Sequence, residues 1–197
     1  MFEAGGDSCL SIFRDVYATG ALIFPPDATV LEIGCAEADW MTPMLALRPD
    51  LHLTGIDWRA CTRGHTIIRG DVLTQEFPPE SFDVVVGVSS IEHIGLGHYD
   101  ADPFDVDGDV HCMQRVAGWL KPGGWCYADV PYGDAYRVVE TSHREYDEAA
   151  LLARLVLPGL RLTRTWYAAG QDEPLRATAA PTGSRIHYVA ALMTKES

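Results

Sequence analysis

Val30-Leu31-Glu32-Ile33-Gly34-Cys35-Ala36-Glu37-Ala38 reads as an apolar strand that stops at a glycine and turns towards a helix. The strand runs from Ala28 to Ile33, and the helix from Trp40 to Leu47 halts before Pro49, a residue that disfavours helical backbone just ahead of it. Glycine at a strand end lets a ligand come against backbone where a Cβ would collide, so nucleotide-like ligands sit at such turns. The stretch is not G-x-G-x-x-G, because Ala36 and Ala38 stand where later glycines would be. An ordinary strand-to-helix turn would share these residues, so the rest of the chain decides between the two readings.

Outward from this turn, short apolar runs alternate with amphipathic stretches, which predicts an α/β fold. Strands are expected at Leu51 to Ile56, Thr66 to Arg69, Phe82 to Val88, Trp125 to Val130, Leu160 to Ala168 and Arg185 to Met193. Val84, Val85 and Val86 in succession suit a sheet buried on both faces. A leading helix runs from Asp7 to Gly20, a second from Val110 to Leu120 and a third from Tyr146 to Val156. Asp107 or Asp109 is available to cap the second of these, and Pro122-Gly123-Gly124 to stop it. The stretches from Ile56 to Thr66 and from Val72 to Ser81 are shorter than the dozen or so residues of a normal parallel crossover. The expectation is a doubly wound, Rossmann-like sheet of about seven strands, mostly parallel with an antiparallel closing strand, and with pared-down helices between strands 2, 3 and 4.

At 197 residues the chain suits one domain with its own core. Residues 1–27 would be a leading helix and entry, 28–131 a cofactor-binding core, and 132–197 a substrate-side and sheet-closing region. No apolar run approaches the length of a membrane span, and the N-terminus does not resemble a signal peptide, so a cytoplasmic protein is expected. Five cysteines without a C-x-x-C pair read as reduced. A net charge of -13 argues against a nucleic-acid partner, since phosphate neutralisation needs lysine and arginine. A small-molecule substrate is favoured. Arg137, Arg144, Arg154, Arg161 and Arg164 in the last third allow a local site for an anionic one.

Three further features bear on the first turn. Asp57 closes the second strand, where a carboxylate either accepts from a ribose diol or merely caps a turn. Asp71, after Arg69-Gly70, is a second such carboxylate. Leu120-Lys121-Pro122-Gly123-Gly124 is a sharp turn before the fifth strand.

Taken in order, these pieces resemble the class I S-adenosylmethionine-dependent methyltransferases from about Thr29 to Pro131. That resemblance implies an S-adenosylmethionine cofactor, with Glu32, Gly34, Cys35 and Ala36 around its methionine portion. It implies Asp57 on the ribose, Trp58 over one adenine face, Asp71 and Val72 at the adenine edge, and Ser89 and Ser90 at the methionine end. More narrowly, Ser89-Ser90-Ile91-Glu92-His93-Ile94-Gly95-Leu96-Gly97-His98-Tyr99 and His143-Arg144-Glu145-Tyr146 resemble a little-characterised methyltransferase-like family. Its pattern is S-x-E-H-x-G-L-G-R-Y, an Asp-rich loop, L-K-P-G-G and a later H-R-x-Y; His98 replaces the arginine.

The catalytic candidates are His93, Glu92 and His143. An ordinary imidazole, with a pKa near about 6.5, suits removal of an acceptor proton, with Glu92 orienting His93 and His143 positioning the acceptor together with Tyr99. The competing role for His93 is capping a turn. Asp105-Val106-Asp107-Gly108 looks like part of an EF-hand, but the register would put Pro103 and Gln114 at positions that need acids. A looser divalent site from His98, Asp100, Asp102 and Asp105 competes with solvated carboxylates, and no metal site is assigned.

Methyl transfer to an oxygen or nitrogen of a small, sugar-like or anionic molecule is the leading expectation. A non-catalytic cofactor-binding or partner-binding module of the same fold is the alternative. A nicotinamide dehydrogenase is disfavoured by the missing glycine pattern.

Overall fold

The computed structural model describes residues 8–36, 39–97, 104–168 and 187–197, with side chains from residue 12 onwards. Its elements in chain order are α1 (Ser8–Ala18), β1 (Thr29–Ile33), α2 (Met41–Leu47), β2 (His52–Asp57), β3 (Thr66–Arg69) and β4 (Phe82–Val88). A single 3-10 turn (Ile91–His93) comes next, then α3 (Gly108–Trp119), β5 (Leu120–Tyr132), β6 (Arg137–Val139), β7 (His143–Glu145), α4 (Glu148–Arg154), β8 (Leu160–Ala168) and β9 (His187–Lys195).

Seven strands form one sheet in the order β3-β2-β1-β4-β5-β9-β8. β1, β2, β3, β4 and β5 pair in parallel, and β9 runs antiparallel to both β5 and β8. Six strands therefore share a direction and one opposes them, as the patterning predicts. Between β2 and β3, and between β3 and β4, turns take the place of crossover helices.

The valines of β4 show why such strands read as unbroken apolar runs. Val84, Val86 and Val88 pack with Ile12, Phe13 and Val16 of α1 and with Trp40, Met41 and Met44 at α2. Val85 points the other way, into a cluster with Cys112, Met113 and Val116 of α3 and Leu151 and Leu155 of α4 or its cap. Both faces of the sheet are covered, which is the normal condition of parallel strands. The leading helix closes as expected: Gly20 takes φ +73° and donates its N–H to the Tyr17 carbonyl, a left-handed C-terminal stop that glycine adopts without strain.

Four details differ from the sequence expectation. Asp107 occupies the N-cap of α3 without a side-chain bond to the helix, because Asp109 and Asp107 are drawn to Arg154 instead. The helix ends at Trp119 and passes directly into β5, so Pro122 is not its stop. There Lys121 donates to Asp83 at 2.7 Å, Gly123 takes φ +77°, and a Cβ on Gly124 would lie 2.8 Å from the Asp83 carbonyl oxygen. L-K-P-G-G is thus a splice between β4 and β5. The last helix is shorter than expected because Asp147 caps it, accepting from the Ala150 N–H at 2.7 Å. The β6–β7 hairpin has no signal in the sequence, because three-residue strands are too short for a legible alternation.

Among the described residues no helix is long and apolar enough to cross a membrane. Cys35, Cys61, Cys112 and Cys126 are free thiols, while Cys9 lies among the residues whose side chains are not described.

Candidate active site

Strand register brings the sequence-predicted residues onto one rim. Ile33 pairs with Ile56 on one side and Gly87 on the other, and Asp57 pairs with Arg69. Gly34, Asp57, Asp71 and Ser89 therefore all lie at or just beyond the carboxyl ends of adjacent parallel strands. Connections leave β1 and β4 towards opposite faces there, and open α/β sheets bind ligands at such a switch point.

Gly34 has φ +82°, and an added Cβ would sit 2.1 Å from Ser90 Oγ. The glycine is required by the close approach of the β4 turn as well as by its backbone conformation. Its N–H donates to the Ile56 carbonyl at 2.9 Å. Glu32 is buried beneath this turn with Oε1 lacking a hydrogen-bond partner. Burial, and then the negative charge of Asp39, push its carboxyl well above the usual range.

Asp57 is already engaged. One oxygen accepts from the Ala36 N–H at 3.0 Å, the other from the Arg59 N–H at 2.8 Å. The Arg59 guanidinium adds bonds of 3.0 and 3.1 Å, one to each oxygen. Arg63 reaches from the same connection to the Ala36 carbonyl at 3.0 Å. Trp58 beside them is half-buried. Asp71 caps its own turn, accepting from the Leu73 N–H at 2.7 Å through Oδ1, and Val72 is buried next to it.

At the β4 end, Ser89 takes φ +45°, a conformation held by two buried acids. Its N–H donates to Asp129 at 2.8 Å, and its hydroxyl donates to Glu92 at 2.7 Å. Tyr127 donates to the other Asp129 oxygen at 2.7 Å. Desolvation pushes Asp129 up to about 8 and Glu92 up to about 7. Asp129 is absent from the sequence-predicted set, although a lone acid in the apolar run Trp125 to Val130 is a signal that could have found it.

His93 donates Nδ1–H to the Ser142 carbonyl at 2.5 Å, since the carbonyl can only accept. That fixes the tautomer and leaves Nε2 as the basic nitrogen, 3.7 Å from Glu92 Oε1. The His143 ring centroid lies 6.3 Å from that of His93. Burial, and then His93, lower the His143 pKa. The three catalytic candidates are thus together, and the capping role expected of His93 is taken by Nδ1.

Arg144 and Tyr146 of the H-R-x-Y stretch hold the fold together. Arg144, wholly buried, donates to the carbonyls of Glu92, Ile94, Asp105 and Val106. Tyr146 donates to Asp109 at 2.9 Å, as does Arg154 at 2.7 and 2.8 Å. Gly95 lies so close to the next segment that a Cβ would meet the Asp105 carbonyl at 2.3 Å. Arg137 pairs with Glu145, so three of the five C-terminal arginines are committed to internal pairs. Asp105 accepts from His111 at 2.6 Å, and no metal-ligating group of three is found among the described residues. His98, Tyr99, Asp100, Asp102 and the loop Gln171 to Ser184 lie outside the described residues.

Residues 72–185 match the family described as Caenorhabditis protein of unknown function, DUF268. The chain belongs to that family. DUF268 here covers the β4 end, the Arg144 clamp and the hairpin, and leaves the Gly34 turn and Asp57 outside the match. No curated protein matches the sequence. Solved structures share the fold. A Burkholderia thailandensis 1,6-didemethyltoxoflavin-N1-methyltransferase with bound 1,6-didemethyltoxoflavin and S-adenosylhomocysteine is 14% identical, with a TM-score of 0.67 over 97% of this chain and 80% of its own. The N-methyltransferase NodS from Bradyrhizobium japonicum WM9, in complex with S-adenosyl-L-homocysteine, is 16% identical, with a TM-score of 0.57 over 94% and 84%. The [4+2]-cyclase SpnF is 13% identical, with a TM-score of 0.63 over 93% and 80%.

Proposed function

We propose that this protein is an S-adenosylmethionine-dependent methyltransferase acting on an oxygen or nitrogen of a small molecule. The observation that carries the reading is His93: its Nδ1–H is pinned by the Ser142 carbonyl, so Nε2 is presented as a base at the carboxyl end of β4. Structures of the same fold that carry S-adenosylhomocysteine support the cofactor.

The residues present fit that cofactor in part. The Gly34 turn is free of side chain, and an orphaned Glu32 oxygen lies under it. Asp57 fits less simply, because Arg59 covers both carboxylate oxygens that a ribose diol would use. Arg59, half-buried on a connecting loop, must swing aside or share them.

The cofactor supplies an electrophilic methyl group on a sulfonium. The chain's own work is to orient the acceptor and take its proton. His93 Nε2 accepts the proton, and Glu92, 3.7 Å away, stabilises the imidazolium once it is ionised. The half-buried turn holds both groups, Ser89 through its hydroxyl bond to Glu92 and Ser90 through its carbonyl, which accepts from the His93 N–H.

Calorimetric titration with S-adenosylhomocysteine tests the binding, and transfer of a labelled methyl group to a panel of hydroxyl and amine acceptors tests the reaction. Absence of binding at millimolar ligand overturns the reading. The alternative, a module that keeps the fold without methyl transfer, draws on the Arg59–Asp57 pair and on a cyclase with this fold; fold alone assigns no chemistry. Binding without turnover on any acceptor would favour it.

A further inference from the structure

Cys35 directly follows Gly34, and its sulfur lies 3.6 Å from that of Cys61, 26 residues further along the chain. Cys61 sits in the connection from β2 to β3, so the two thiols face each other across the rim, one from each wall of the proposed cofactor cleft. Gly55 makes the approach possible: a Cβ there would lie 2.7 Å from the Cys35 sulfur. The same two segments are held together independently by Arg63, which donates to the carbonyls of Ala36 at 3.0 Å and Cys35 at 3.5 Å.

We infer that Cys35 and Cys61 form a reversible disulfide, closed by a hydroperoxide-class oxidant, which ties the Gly34 turn to the Trp58–Cys61 segment. A disulfide of about 2.05 Å asks the sulfurs to close by roughly 1.5 Å. The backbones are already docked, so side-chain rotation with a small loop movement supplies this. Oxidation begins at Cys61, which is half-buried, whereas Cys35 is wholly buried. The Cys61 thiolate attacks a peroxide oxygen, giving a sulfenic acid and releasing hydroxide, which takes up the proton the thiol lost on ionising and leaves as the first water. The Cys35 thiol then displaces hydroxide from that sulfur, and its proton leaves with the hydroxide as a second water. Two thiols and one hydrogen peroxide yield one disulfide and two waters. Cys112 and Cys126 are wholly buried, which keeps them from attacking the peroxide first; burial also pushes the Cys35 thiol up, and Cys35 takes the second step because its sulfur already lies 3.6 Å from that of Cys61.

The consequence for function rests on the methyltransferase reading. Drawing Cys35 towards Cys61 shifts the turn whose Ala36 N–H binds Asp57, so the bridged protein binds S-adenosylhomocysteine several-fold more weakly.

The test treats the full chain with graded hydrogen peroxide, maps peptides without reduction, and titrates S-adenosylhomocysteine before and after. Expected is a Cys35–Cys61 linked peptide pair, lighter by two hydrogens than the two free peptides and lost on adding reductant. Cys61→Ser, and Cys61→Ala as a second variant, should give no linked pair and an affinity that peroxide does not change. Oxidation of Cys61 to sulfinic acid with no bridge, or a bridge to another cysteine, overturns the inference. A bridge that leaves affinity unchanged overturns its regulatory part. A bridge in a protein that binds no S-adenosylhomocysteine in either state leaves the disulfide standing and removes the methyltransferase reading instead.

Discussion

Arg144 Nε lies 3.4 Å from Asp109 Oδ1, and neither side chain is exposed to solvent. Around this pair the guanidinium binds four main-chain carbonyls, two from the 3-10 turn and the residue after it, and two from the lead-in to α3. The loop that carries Glu92 and His93 is therefore fixed by a charge on a distant hairpin strand.

Removing Arg144 leaves Asp109 paired with Arg154 but takes the donor from four main-chain carbonyls, and a buried acceptor left unsatisfied costs about 1–3 kcal/mol. Arg144→Ala should lose stability on that scale in urea unfolding. Arg144→Lys should recover little, since an ammonium cannot span four carbonyls in a planar fork. A loss within about 0.5 kcal/mol, the usual effect of a surface change, would remove Arg144 from this role.

Asp57→Ala should weaken S-adenosylhomocysteine binding by about 1.5–3 kcal/mol, the range for hydrogen bonds to a charged group. Arg59→Ala should not weaken it, because it uncovers the same oxygens. Calorimetry on both variants separates a ribose acceptor from a carboxylate that only anchors its own loop.

His93→Ala should lower kcat by about 10² to 10⁴, the usual contribution of a general base, while affinity for S-adenosylhomocysteine stays close to that of the unaltered protein. Full turnover in the variant between pH 6 and 9 would leave His93 as the hydrogen-bond partner of Ser142 alone. Loss of cofactor binding as well would make it a support of the pocket and move the base to His143 or Tyr132.

The buried acids set a pH dependence of stability. Asp129 and Glu92 titrate in the folded protein at about 8 and about 7, above their unfolded values near about 4. The folded state therefore holds protons that the unfolded state has released. Their contribution is complete below about pH 4 and is lost as pH rises through 7 to 8. Asp129→Asn should flatten the resulting fall in Tm between pH 5.5 and 8.5. An unchanged slope in thermal denaturation would mean that Asp129 ionises in the fold as easily as in the unfolded chain.

The sheet is legible in the sequence because its strands are buried on both faces, and continuous runs such as Val84 to Val86 leave few other readings. The rim at the strand ends is legible because a glycine and acids recur where strands end. The features without a local signal depend on contacts between segments far apart in the chain. Arg144 has the look of one member of a basic cluster, yet its partners lie 35 to 52 residues away. Nothing local announces that Asp129 and Glu92 meet at Ser89. The capping of α3 differs from expectation for the same reason: Asp109 is a good local cap that a stronger long-range partner claims.

The position of β9 has a consequence for biosynthesis. This strand, the last in chain order among the described residues, fills the slot between β5 and β8. While the ribosome is still making it, β5 presents a long, apolar edge with unpaired amides, and β8 has no neighbour to dock on. An open edge of this kind is a template for other chains, so the nascent protein is most vulnerable to aggregation in the interval between emergence of β5 and arrival of β9. A chaperone that shields β5 during that interval would raise the yield of folded protein without altering its final stability.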